Sequence, residues 1–175
     1  MKRVIVSITG ASGYKLGQRV IELLPKDIEK HIILSENAKK VAELEEGVKV
    51  YNESQIDAPV ASGSFKADAM MIIPTSMNTL AKISCGIADN LTTRTASVMM
   101  KERRDLLLAP RELPLSAIPL ENMLKLSKLG VIIAPPIMGY YSDIKTLDDM
   151  EKFIIGKWFD SLGIDNSLFK RWGSE

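Results

Sequence analysis

An α/β fold, with one parallel sheet covered by helices on both faces, is predicted by three features of this chain. Short apolar runs recur at residues 4–9, 31–35, 69–74, 106–109 and 131–134. Between most of them lie stretches with apolar residues at helical spacing, long enough for the crossovers that parallel neighbours require. The 69–74 run is apolar at every position, as a central strand buried on both faces should be. With 175 residues the chain suffices for one well-buried core. A single domain over residues 1–175 follows.

Taken in order, residues 4–9 form the first strand, Gly10-Ala11-Ser12-Gly13 turns the chain, and residues 16–24 have helical apolar spacing that stops at Pro25. Residues 31–35 read as a second strand, 37–46 as a helix and 48–51 as a short strand. Residues 52–66 are polar and interrupted by Pro59 and Gly63, which reads as a loop. The 69–74 strand is followed by helical spacing over 76–85, a second strand–turn–helix unit. Residues 92–104 suit a helix, 106–109 a strand, 115–129 a helix and 131–134 a strand that ends at Pro135-Pro136. A last helix covers about 146–162. Alternation of this kind places the helices on both faces of the sheet.

Composition narrows the function. The formal net charge is +1, which gives no long-range field for nucleic acid or an anionic membrane, so any anion must be held locally. The basic start Lys2-Arg3 precedes an apolar run too short for a signal peptide, and no stretch approaches the ~20 apolar residues of a membrane span. The single cysteine, Cys85, has no partner for an internal disulfide, and no Cys/His spacing suits zinc. A cytoplasmic, metal-free protein is expected. Cys85 itself is expected to be a buried, inert thiol at a helix end.

Ligands of open α/β sheets bind beyond the carboxyl ends of the strands, so the turns there hold the candidates. Gly10-Ala11-Ser12-Gly13 follows the first strand and opens a helix, where backbone N–H groups and the helix dipole favour a phosphate. It matches neither Gly-x-Gly-x-x-Gly nor the P-loop, and a tight turn capped by Ser12 explains it equally well. Ser76-Met77-Asn78-Thr79 stands in the equivalent place after the 69–74 strand. Two such turns at neighbouring strand ends suit a mononucleotide phosphate.

Arg94, Lys101, Arg103, Arg104 and Arg111 are the densest cationic group in the sequence. A solvated helix face accounts for Arg103 and Arg104, whereas Arg94 and Arg111 read as flanking strand ends, where a buried guanidinium needs an anion. Glu112 is the acid/base candidate, a carboxyl at the sheet edge beside apolar walls, with a structural Glu–Arg pair as the alternative. Tyr140-Tyr141, on the loop after Pro135-Pro136 and Gly139, suits stacking on a flat cofactor or core packing. His31 begins a strand and reads as structural, and Lys157 on the last helix as exposed.

With these residues in view, the chain resembles the UbiX-type flavin prenyltransferases, formerly described as aromatic-acid decarboxylases. The resemblance rests on residues 6–13, 62–65 (Ser62-Gly63-Ser64-Phe65), 74–80, 88–91, 101–104, 110–112 and 120–126, and on Arg171-Trp172-Gly173, all in family order over essentially the whole chain. It implies a three-layer α/β/α Rossmann-like (flavoprotein-type) subunit in a homo-oligomer, a dodecamer, with the 146–175 helix and tail packing on a neighbouring subunit. It implies FMN as cofactor and dimethylallyl monophosphate as donor, the dimethylallyl group passing to N5 and C6 of reduced FMN without a metal. The product would serve a UbiD-type decarboxylase.

Carried over by position, Gly10, Ala11, Ser12, Ser35, Ser76, Met77, Asn78, Thr79 and Arg111 would bind FMN. Tyr141 and Lys157 would hold the prenyl phosphate, with Arg94, Lys101 and Glu112 near the reacting centre. The chain departs from the family pattern at Tyr14-Lys15-Leu16-Gly17, where the aromatic is shifted by two positions, and at Asn78, where some members carry Lys. The alternatives are an FMN-dependent cysteine-type decarboxylase, whose helix histidine is missing here, and a flavin carrier without turnover.

Overall fold

A computed structural model of the chain describes residues 3–10, 13–35, 48–140, 144–171 and 173. Six strands, β1 (Arg3–Ile8), β2 (Glu29–Leu34), β3 (Lys49–Asn52), β4 (Ala69–Thr75), β5 (Asp105–Pro110) and β6 (Ile132–Ile133), form one sheet in the order β3-β2-β1-β4-β5-β6. All pairings are parallel. The winding turns left from β1 and right from β4, so the topological switch, and the crevice it opens, lies beyond the carboxyl ends of these two strands.

Side chains alternate across the sheet and split the core in two. Val4, Val6, Ile8, Met71, Ile73 and Leu107 face helices α1 (Tyr14–Leu23) and α5 (Leu147–Ser161). Ile5, Ile33, Met70, Ile72, Leu106 and Leu108 face α2 (Met77–Ser84), α3 (Leu91–Lys101) and α4 (Ala117–Lys128). Strands β1, β2 and β5 begin one or two residues before the apolar runs, because Arg3, Glu29 and Asp105 continue the ladder with side chains outside the core. The expected helix over 37–46 falls outside the described residues. The 52–66 loop contains one 3-10 turn, Pro59–Ala61.

Three local arrangements set up the site. Gly17 lies where α1 crosses β4: a Cβ there would stand 2.4 Å from the carbonyl oxygen of Ile73, so only glycine permits this approach. Helix α5 buries Phe153, Ile155, Trp158 and Phe159 against the sheet. The tail folds back on it, with Arg171 paired to Asp160 and Phe169 edge-on to Phe153. Helix α4, in contrast, buries only Leu126 and leaves Ile118, Leu120 and Leu124 in solvent.

Candidate functional site at the carboxyl edge

The ends of β1 and β4 are stapled together by Thr9, a buried residue. Its hydroxyl donates to the Pro74 carbonyl at 2.8 Å and accepts the Ser76 N–H at 3.1 Å. Gly10 adopts a left-handed φ of +88°, and a Cβ placed on it would lie 3.9 Å from the Cβ of Ser76, so the two turns face each other across the switch crevice. Gly13, at φ +92°, leaves room for a third segment: a Cβ there would lie 3.3 Å from Nε of Arg111 and 3.3 Å from Cγ of Pro74. Arg111, one residue past β5, therefore reaches over β4 to the first turn, exposed rather than buried as its strand-end position suggested, because it lies on the open rim of the sheet. Ala11 and Ser12, between the two glycines, lie outside the described residues.

Ser76 serves first as the N-cap of α2: its Oγ accepts from the Thr79 N–H at 3.2 Å and shares a hydrogen bond with the Thr79 hydroxyl. This capping role is compatible with a ligand. The N–H groups of Met77 and Asn78, first in the helix, have no intrahelical acceptor and open onto the carboxyl edge with the positive end of the helix dipole. Ser35, just past β2, has a buried hydroxyl without a hydrogen-bond partner among the described residues. A buried orphan hydroxyl is costly, and at this edge it is what a bound polar ligand would satisfy.

The remaining candidates divide. Glu112 is next to Arg111 but exposed, its carboxylate accepting from the Leu113 N–H at 3.2 Å; no apolar wall encloses it within one chain, because Leu113 is itself 91% exposed. Lys157 is exposed on α5 beside Trp158, whose indole N–H donates to the Ala134 carbonyl just past β6. Tyr140 is exposed, and Tyr141 lies outside the described residues. Arg94, expected to be buried at a strand end, is exposed on the first turn of α3, since the apolar face of that helix, Leu91, Ala96 and Met99, is the one turned to the sheet. Cys85, expected to be buried, is exposed, because the C-cap position ends α2 in solvent ahead of Gly86.

Lys101 is not at this edge. Helix α3 starts at the carboxyl edge, where the Leu91 N–H donates to the Glu53 carbonyl past β3, and its 11 residues run roughly 15 Å back to the amino edge. There Lys101 pairs with Glu102 at 2.7 Å above Gly63. Arg104, expected on a solvated face, is mostly buried and donates to the carbonyls of Gly63 and Phe65, both at 2.7 Å. The cationic group that is dense in sequence is split between the two ends of the sheet. A residue directly before a parallel strand must lie at its amino end, so the position of Lys101 ahead of β5 was the available signal.

The amino edge also holds a closed ionic network. His31 is fully buried; its Nε2–H donates to Glu29 at 2.9 Å, its Nδ1 accepts from the Tyr51 hydroxyl at 3.1 Å, and Phe65 packs edge-on to it at 4.8 Å. Lys49, His31 and Arg3 hold the Glu29 carboxyl down to about 2. Burial lowers the pKa of His31 below the ordinary histidine value, outweighing the opposite pull of Glu29. His31 is accordingly a neutral, structural residue, as its strand position suggested.

Comparison with known proteins agrees with this geometry. The family model described as Flavoprotein matches residues 1–158. A Helicobacter pylori protein, flavin prenyltransferase UbiX, is 50% identical over 184 residues, covering 98% of each chain. The solved structure of AnUbiX (PadA1) in complex with FMN and dimethylallyl pyrophosphate has a TM-score of 0.92 at 38% identity, over 99% of this chain and 98% of that one. A dodecameric FMN-dependent UbiX-like decarboxylase from Escherichia coli O157:H7 has a TM-score of 0.89 at 38% identity, covering 98% and 100%.

Proposed function

This chain belongs to the UbiX flavin prenyltransferases, within the Flavoprotein family, and we propose that it transfers a dimethylallyl group from dimethylallyl monophosphate to N5 and C6 of reduced FMN. One observation carries the assignment of the site: the flanking glycines Gly10 and Gly13, the start of α2 and Arg111 meet at the topological switch, with a Ser35 hydroxyl that has no hydrogen-bond partner among the described residues at the same edge. These groups fit FMN. Amide N–H groups and a guanidinium suit its phosphate, and the glycines leave its approach open. Gly10, Ala11, Ser12, Ser35, Ser76, Met77, Asn78, Thr79 and Arg111 would hold it.

Reduced FMN supplies the nucleophilic N5 and the second bonding position, C6, so the protein needs no nucleophile of its own. Its task is to stabilise the leaving group. As the allylic C–O bond breaks, negative charge grows on the departing phosphate; Tyr141 and Lys157 would bind it, Arg94 and Lys101 offset its charge, and Glu112 move a proton. In balance the flavin gains C5H8 and inorganic phosphate leaves.

Lys101 and Glu112 lie at opposite edges of one sheet, so a centre that uses both draws them from two copies of the chain. A homo-oligomer supplies that, and the exposed apolar side chains of Leu113, Ile118, Leu124, Ile137 and Met138 are suited to burial between copies. A dodecamer, as in the Escherichia coli relative, is the assembly we infer. A UbiD-type decarboxylase is the inferred recipient of the product. No helix among the described residues is long and apolar enough to cross a membrane, and a cytoplasmic setting is the one we assign. A cysteine-type decarboxylase has less support: the only histidine, His31, is sealed in strand β2 rather than on α1.

The test is anaerobic incubation with reduced FMN and dimethylallyl monophosphate, read by flavin mass. A C5H8 increment is expected, and unchanged flavin rejects the assignment. In the same assay Glu112→Gln should retain FMN and slow transfer by about a hundredfold, the contribution of a general acid. Wild-type turnover in that variant removes Glu112 from the mechanism.

A further inference from the structure

We propose that Arg104 is a positioning residue for prenyl transfer, setting the place of the Lys101 ammonium through the loop backbone at Gly63. It rests on the assignment of Lys101 to the reacting centre. Arg103, at φ 54°, ends α3 in a left-handed turn and directs Arg104 inward under the 62–65 loop. From there the guanidinium spans the loop, with Nη1 bonded to the Phe65 carbonyl and Nη2 to the Gly63 carbonyl, each at 2.7 Å. Two divergent donors on one rigid plane fix both carbonyls at once, which a lysine ammonium does not reproduce.

Lys101 lies against the same loop. A Cβ on Gly63 would stand 3.1 Å from Lys101 Nζ and 2.6 Å from Glu102 Oε1, so the glycine backbone is the floor on which the Lys101–Glu102 pair rests. The Lys101 side chain is 61% exposed, and a flexible four-carbon stem in that setting samples many rotamers unless its surroundings restrict it. The other end of the loop is already clamped: the Phe65 ring is wedged between the edge of His31 and the Arg3 guanidinium, 4.6 Å above its centre. With Phe65 fixed, the Arg104 bond to Gly63 decides the height of the loop beneath Lys101. Arg104 touches no reacting atom; it acts on the ammonium that does.

A double-mutant cycle measured as kcat/KM for dimethylallyl monophosphate, with FMN affinity and assembly state followed in parallel, tests this. Arg104→Lys is expected to lower kcat/KM roughly tenfold in the wild-type background and less than about twofold in Lys101→Ala, because residues acting through one another are non-additive. Arg104→Lys should change FMN affinity by less than about twofold relative to its own background, since its bonds go to the 62–65 loop and not to the groups assigned to the flavin. Added guanidinium ion should restore part of the activity of Arg104→Ala and none of that of Lys101→Ala. Additive losses in the cycle, or unaltered kcat/KM in Arg104→Lys, overturn the proposal and leave the prenyl-transfer assignment standing. Wild-type enzyme that adds no C5H8 unit to reduced FMN rejects both.

Discussion

The two edges of the sheet use the same residue types in opposite ways. At the amino edge Arg3, Glu29, His31, Lys49, Tyr51 and Arg104 are bonded to one another or to backbone carbonyls, and the charges close on themselves. At the carboxyl edge Glu112 is bonded only to its neighbour's N–H among the described contacts, the first amides of α2 face outward, and the Ser35 hydroxyl is buried with no hydrogen-bond partner among the described residues. Polar groups that satisfy each other hold the fold. Polar groups that a fold assembles and leaves open are where a ligand completes the hydrogen-bond inventory.

Three substitutions sharpen that contrast. The largest effect is expected at Arg111. Arg111→Ala should weaken FMN about a hundredfold, near 3 kcal/mol for a lost charge-assisted pair, with a much smaller loss of flavin-free stability because the residue is exposed. Fluorescence titration and thermal melts read the two effects separately; a large drop in flavin-free stability with intact affinity would place Arg111 among the structural cations instead.

His31→Leu should do the reverse, costing about 2 kcal/mol of stability by removing the buried bonds to Glu29 and Tyr51, with little effect on FMN affinity. Its pH dependence has a definite sign. Both Glu29 and His31 have folded pKa values below their ordinary ones, so each contributes stability at neutral pH that is lost on acidification. The His31 share falls away from about pH 6.5 downward, and the Glu29 share between about 4.5 and 2. Melts across pH 7 to 4 should therefore decline in the wild type, and in His31→Leu the upper part of that decline should vanish. A variant that melts in parallel with the wild type at every pH excludes the histidine as its source.

The smallest effect is the most discriminating. Ser35→Ala removes an orphan hydroxyl, so the flavin-free protein should gain up to ~1 kcal/mol, while FMN binds roughly fivefold more weakly for want of one hydrogen bond. Opposite signs on stability and affinity are the mark of a group kept for a ligand. Losses on both sides would mean that Ser35 is simply structural.

Much of this was legible in the chain. Continuous apolar runs followed by turns rich in Gly and Ser marked β1 and β4 and located Gly10, Ser76 and Arg111 at strand ends, because parallel strands are built from local patterns that survive without tertiary information. The distance between the cations is not legible in the same way: Arg94, Lys101 and Arg111 are close along the chain, yet helix α3 and strand β5 distribute them between the two edges of the sheet. Thr9, the staple between the turns, and Gly17, the contact of α1 with β4, carry no signal that distinguishes them from an ordinary strand Thr or helix Gly.

By itself, then, the sequence determined the layers, the strand–turn–helix units and the residue types available to an anion, since hydrophobic period and turn chemistry are local properties. Which strands became neighbours, where the switch crevice opened, which cations met their counter-charges and which hydroxyls were left without a partner among the described residues were decided only by tertiary structure. Each of those depends on contacts between segments tens of residues apart, and a one-dimensional pattern holds no record of those distances.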